Sequence, residues 1–173
     1  MDNEKCEACG FDGGGYSDAA LVQSFRDLGP TWHALVASCG DELRVRPAPE
    51  VWSALEYAAH SRDITALHAF GVNYALSEDE AALPGIDGDS LIQEAAAAYR
   101  DADADAVVAE LATEAARLAD LAVTAGDAMR RRGLTVGTER STVRRMLEHA
   151  LHDSLHHVID VERGLAVLRK GAG

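Results

Sequence analysis

The sequence predicts an all-α fold, an antiparallel four-helix bundle, on three observations. Apolar residues recur with a 3.6-residue period through four long segments. Most glycines and prolines fall between those segments, although Gly29 and Pro30 interrupt the first. The chain is 47% hydrophobic but only 5% aromatic, so its core is built from alanine and leucine, which suit closely packed helices. At 173 residues it has the length of one domain. The division expected is an irregular leader carrying a CxxC motif over residues 1–16, then a bundle over 17–170.

In the leader, Gly13, Gly14 and Gly15 read as a flexible join. Ser17 is a good N-cap, and Leu21, Phe25, Leu28, Trp32 and Leu35 continue a helical stripe to Gly40. Gly29 and Pro30 interrupt that stripe, so a kink or short break is expected there. After Pro47, a second helix is expected from about Pro49 to about Leu76. Pro84, Gly85 and Gly88 mark the next break, and a short helix follows around Leu91 to Tyr99. A third long helix covers roughly Asp105 to Arg131, with Val107, Leu111, Ala115, Leu118, Ala122, Ala125 and Met129 inward and Gly133 as its stop. Ser141 then caps a last helix through about Leu168, with Val143, Leu147, Leu151, Val158 and Leu165 facing the core. Only the RVR tripeptide at residues 44–46 reads as a strand.

Sixteen basic against 29 acidic residues give a net charge of −13. Such a surface repels polyanions, so neither nucleic acid nor an anionic membrane is an expected partner. The arginines at 130–132, 140, 144 and 145 read as solvated helix ends. No run of 18 apolar residues exists, and the acidic start MDNEKCEACG has no apolar signal region. A cytoplasmic address follows, in which three cysteines are no disulfide framework.

Histidines carry the functional signal. Taken singly, a helical histidine is most simply a half-exposed polar residue or a satisfied core one. Four of the seven here, His149, His152, His156 and His157, fall within nine residues of the last helix. His152 and His156 stand four apart on one face, a spacing that lets two imidazoles reach one metal ion. That face is read as lying beside the stripe through Leu151, Leu155 and Val158. On the second helix His60 shares a face with Tyr57, Ile64 and Leu67, an apolar setting for an unpartnered imidazole. Asp63 and Asp160 follow His60 and His156 closely enough to accept a ring N–H.

The segments WSALEYAAHSRD and LHDSLHHVIDV, in that order, resemble the DinB/YfiT-like superfamily of metalloenzymes, four-helix bundles that include thiol-dependent S-transferases and mycothiol-dependent maleylpyruvate isomerases. The resemblance runs along roughly residues 17–168. It implies that His60, His152 and His156 are the metal ligands, with His157 a non-ligating neighbour. Tyr57, most simply a core aromatic, is expected next to that site as a cofactor-binding residue. It also implies a divalent metal, zinc first, with nickel, iron or manganese as alternatives. A low-molecular-weight thiol of the mycothiol type would be the co-substrate of a transferase acting on a small molecule, and a homodimer is expected, since family members pair through helices. A hydrolase or isomerase on the same scaffold, and a non-catalytic metal-binding module, are the alternatives. The catalytic residues beyond the ligands are not legible. The resemblance does not cover Cys6 and Cys9, which form half a zinc knuckle by spacing, with Cys39 and His33 as the obvious further ligands.

Overall fold

A computed structural model describes residues 3–85 and 88–171. Its elements are β1 (Lys5–Cys6), β2 (Phe11–Asp12), α1 (Asp18–Cys39), α2 (Ala54–Ser77), β3 (Ala82–Leu83), α3 (Gly88–Tyr99), α4 (Ala104–Ala125), β4 (Gly133–Val136), β5 (Glu139–Thr142) and α5 (Val143–Gly171). The chain is mostly helical, as periodicity implies. Four long helices form the bundle, and α1 and α2 each pack against both α4 and α5. Trp32, Phe25, Leu55, Leu111, Leu118, Leu147 and Leu151 are fully buried between them. The Trp32 indole N–H reaches the buried Ser154 hydroxyl at 2.8 Å and so ties α1 to α5.

Capping chemistry sets the helix starts. Ser17 caps α1 by accepting from the Ala20 N–H at 3.1 Å. Four residues after the expected start, Ser53 and Glu56 form a reciprocal capping box that opens α2. Thr142, rather than Ser141, caps α5 through the Arg145 N–H at 3.2 Å. Helix α1 runs through Pro30 without a break. Gly29 matters there because α4 comes so close: a Cβ on it would meet the Ala112 Cβ at 2.6 Å. Helix α4 is shorter than expected, since Gly126 takes a positive φ of 46° and the chain continues as a 3-10 turn to Arg130.

The strictly all-α expectation fails, because two small sheets flank the bundle. Residues 133–142 form a β4–β5 antiparallel hairpin turning at Gly137, and β3 adds to β4 in parallel. The Thr and Val residues of GLTVGTERST supply the strand tendency that a reading based on helix stops passes over. Residues 44–46, by contrast, form no strand.

The leader is not irregular either. Strands β1 and β2 pair Lys5 with Asp12 and Cys6 with Phe11, and Gly13–Gly15 form a 3-10 turn. Gly13 is pressed onto α5, where a Cβ would lie 2.6 Å from a carboxylate oxygen of Glu148. The Glu4 N–H donates to Glu148 at 3.0 Å, and Arg144 donates to the Gly13 and Tyr16 carbonyls at 3.0 and 2.8 Å. The hairpin is therefore fastened to the first turns of α5.

Candidate metal centre

Helix α5 presents two interleaved pairs of potential ligands. His152 and His156 are four apart, and so are Asp153 and His157. Stepping about 100° per residue from Leu147, the buried Leu151 and Leu165 stay within about 40° of one direction. On the same count His157 turns about 80° from it and His156 about 180°. The core stripe runs through Ser154 and Val161, while Leu155 and Val158 are only half-buried. Asp153 and His157 thus flank the core beside α2, and His152 and His156 face outward.

His60, buried in the second turn of α2, meets the first pair. One ligand atom from each of His60, Asp153 and His157 lies within 4.8 Å of the others. The Asp153 Oδ1 is 3.7 Å from both the His60 Nε2 and the His157 Nε2. The His157 Nδ1 donates to Asp160 Oδ2 at 3.0 Å, which leaves its Nε2 lone pair for the cluster. His60 Nδ1 and Asp153 Oδ2 are buried without a hydrogen-bond partner, a costly state that a bound cation offsets. Burial acts to raise the Asp153 carboxyl, but the adjacent His60 ring and the attraction of the nearby histidines outweigh it and hold the group below its ordinary value. Burial pushes His157 down, so its ring is neutral at pH 7, the form that binds metal.

Aromatic rings enclose this cluster. The Trp52 ring lies 5.3 Å from His60, Tyr57 lies 4.9 Å from His157, and Tyr99 lies 6.3 Å from His60. Beyond Tyr99 and Asp63 opens an apolar cleft of about 200 Å³ walled by Ile64, Leu67, Leu91 and Ile92. Leu67 is half-exposed, so the inward face of α2 passes through Ala58, Ala59, Thr65, Ala69 and Val72 rather than through Ile64 and Leu67.

The outward pair meets the leader. Cys6, Cys9, His152 and His156 bring four ligand atoms within 4.8 Å of one another, and Cys6 Sγ lies 3.6 Å from the His156 Nδ1. The backbone N–H of Cys9, followed by His152, pulls the Cys6 thiol down to about 6, while burial pushes Cys9 up. Glu4 accepts from the His152 Nδ1 at 2.9 Å, lies 3.3 Å from the His149 Nδ1 and pairs with Arg145.

A family model described as the DinB superfamily matches residues 21–161. The chain belongs to the DinB superfamily. Among solved structures its fold is similar to YfiT from Bacillus subtilis, described as a probable metal-dependent hydrolase with an unusual four-helix bundle topology. That likeness has a TM-score of 0.75 at 18% identity and covers 98% of this chain and 94% of YfiT. No curated protein matches the sequence.

Within this DinB bundle the histidines expected to converge are divided. His60 stands with Asp153 and His157, whereas His152 and His156 stand with the two leader cysteines. His157, read as the non-ligating neighbour, is the histidine of α5 that joins His60. Tyr57 lies beside the His60 cluster. The further ligands expected for Cys6 and Cys9 lie elsewhere: His33 is exposed, and the buried Cys39 donates to the Leu35 carbonyl at 3.2 Å. The DinB match begins beyond the leader, so the cysteine pair is an addition to the region the family model spans.

Proposed function

We propose that this chain is a metal-dependent enzyme of hydrolytic type in which His60, Asp153 and His157 hold one divalent cation. The observation that carries the reading is the buried His60–Asp153–His157 cluster with its unpartnered Asp153 oxygen and His60 nitrogen. Two imidazoles and one carboxylate are the donor set of hydrolytic zinc centres, and three protein ligands leave a coordination position for water or substrate. When bound, the cation supplies Lewis acidity, polarising a substrate oxygen and lowering the pKa of water.

The protein's own groups do the rest. Asp160 orients the His157 ring through its Nδ1 hydrogen bond. Burial raises the Tyr57 phenol, which therefore keeps its proton at neutral pH and is available as a hydrogen-bond donor beside His157. The aromatic wall excludes water from one side of the cluster, and the apolar cleft beyond Tyr99 suits a small, largely apolar substrate.

The test is metal analysis of tag-free protein combined with hydrolysis of a panel of small esters and amides. Wild type is expected to bind metal at the His60 site and hydrolyse a member of the panel. Asp153→Asn and His157→Ala should each lose that metal and activity, with helix content unchanged. Retention of the metal by both variants would overturn the assignment. A rate seen only with an added low-molecular-weight thiol would make the chain a transferase of the mycothiol type instead.

A further inference from the structure

We propose that Cys6, Cys9, His152 and His156 form a second metal site, a closed Cys2His2 centre for zinc that clasps the leader hairpin to α5. This inference does not rest on the His60 centre, which uses none of these four residues.

The site is built from both sides. On the leader, the CEACG sequence makes a tight turn in which the Gly10 N–H returns to the Cys6 carbonyl at 2.9 Å. Gly10 sits at a φ of 77°, a left-handed conformation that glycine adopts without strain. The turn directs two thiols to one side of the β1–β2 hairpin. On α5, His152 and His156 are one helical turn apart. Four donors, two sulfur and two nitrogen, are the full complement of a tetrahedral structural zinc site. Bonds of about 2.3 Å to sulfur and 2.0–2.1 Å to nitrogen place those atoms roughly 3.5 Å apart across a tetrahedral angle. The Cys6 Sγ to His156 Nδ1 separation of 3.6 Å already matches that span.

The His152 ring provides an independent pointer. Its Nδ1 donates to Glu4, itself buried and paired with Arg145, so the ring's orientation and tautomer are fixed. Its Nε2 is buried and has no hydrogen-bond partner. Such an atom needs a Lewis acid or a donor, and the two thiols beside it are the ligands that would share one. Phe11 covers the ring face at 5.2 Å between centroids and limits access of water. All three cysteines are free thiols. With one Zn²⁺ bound, Cys6 and Cys9 would both be thiolates and His152 and His156 neutral, any thiol protons passing to solvent, so the site would carry zero net charge. With four protein ligands the centre has no open position, so its role is to hold structure.

The experiment uses the full-length, tag-free chain purified under reducing conditions, with zinc alone and cobalt(II) alone as probes. The cobalt protein should show a thiolate-to-metal charge-transfer band and tetrahedral ligand-field bands. Zinc should shield Cys6 and Cys9 from iodoacetamide, with Cys39 as an internal control indifferent to zinc. The Cys6→Ser/Cys9→Ser double variant should lose one equivalent of zinc and the charge-transfer band, whereas His60→Ala should keep the band and the zinc protection of Cys6 and Cys9. Wild-type cobalt protein without a charge-transfer band, or alkylation of Cys6 and Cys9 unaffected by zinc, overturns the proposal. Both of those readings come from the native sequence, so they hold even if the double variant does not fold.

Discussion

Glu56 shows how a single buried charge fixes the entrance to the site helix. Its carboxylate accepts from Arg46 and from the Ser53 backbone and hydroxyl while remaining almost wholly inaccessible. Burial alone would raise it, but the Arg46 and Ser53 hydrogen bonds win and bring it down to about 2. A carboxyl depressed in the fold stabilises fully above its unfolded value and loses that contribution as pH falls through the folded one. From 4.5 to about 2 the contribution is roughly 3 kcal/mol. Glu56→Gln should therefore be destabilised by a comparable amount at pH 7, and its gap to wild type should narrow between pH 4.5 and 2 in urea titrations. The histidines act in a separate window. Burial lowers His68 and His157, so each resists charging in the folded state. Their contribution is complete above the unfolded histidine pKa of about 6.5 and falls away below it. The urea midpoint of metal-free protein should drop between pH 7 and pH 5, and a flat midpoint over that range would refute the histidine account. Residue identities in the site were only partly legible, because LHDSLHHVID contains two i, i+4 pairs. The sequence points to His60 and to this α5 segment, which the structure brings together, but does not show which of the two pairs stands beside α2.

At the scale of elements, that ambiguity has a geometric cause. One residue along a helix rotates a side chain by about 100°, so neighbouring registers address different partners. The buried Ser154 and Val161 fix the core direction, and a polar serine within the stripe concealed it from a count of leucines. Helix extents followed the apolar period well, and the misplaced starts trace to caps: Ser53 with Glu56 at α2, and Thr142 at α5. The short strands were not legible, since pairings such as Ala82 with Thr135 depend on contacts distant in sequence. Helix contact itself yields a sharp test. Gly29 of α1 lies against Ala112 of α4 with no room for a methyl group. Gly29→Ala should cost about 1–3 kcal/mol as overpacking, despite the better helix propensity of alanine. Ala112→Gly should restore much of it in the double variant, measured by thermal and chemical denaturation. Simple additivity of the two changes would mean that the close approach is not the cause.

Across the whole molecule, the leader and α5 join residues far apart in the chain. Cys6 and His156 are 150 positions apart, and Glu4 and Glu148 are 144 apart. The hairpin's seat exists only once α5 has formed, so the leader can dock only late in folding. It should also open as a local unit, with lower free energy than the bundle. In hydrogen exchange, Glu4→Ala should speed exchange over residues 4–16 and leave α1, α2 and α4 near wild-type protection. Matching acceleration in those helices would show that the leader is part of the global core.

Glu4 accepts at α5 while its chain direction leads straight into α1, so the protein is close to a ring in topological terms. Nearly the whole sequence lies between the two sides of the clasp. A pin that closes so long a loop removes unfolded conformations more than it adds contacts, and the entropy involved grows only slowly with loop length. The leader is the natural place for that ring to open, because it meets α5 over a far smaller surface than α2 does. A protease meeting this chain would find its first foothold in the opened hairpin, and whatever tightens that closure sets how long the protein lasts.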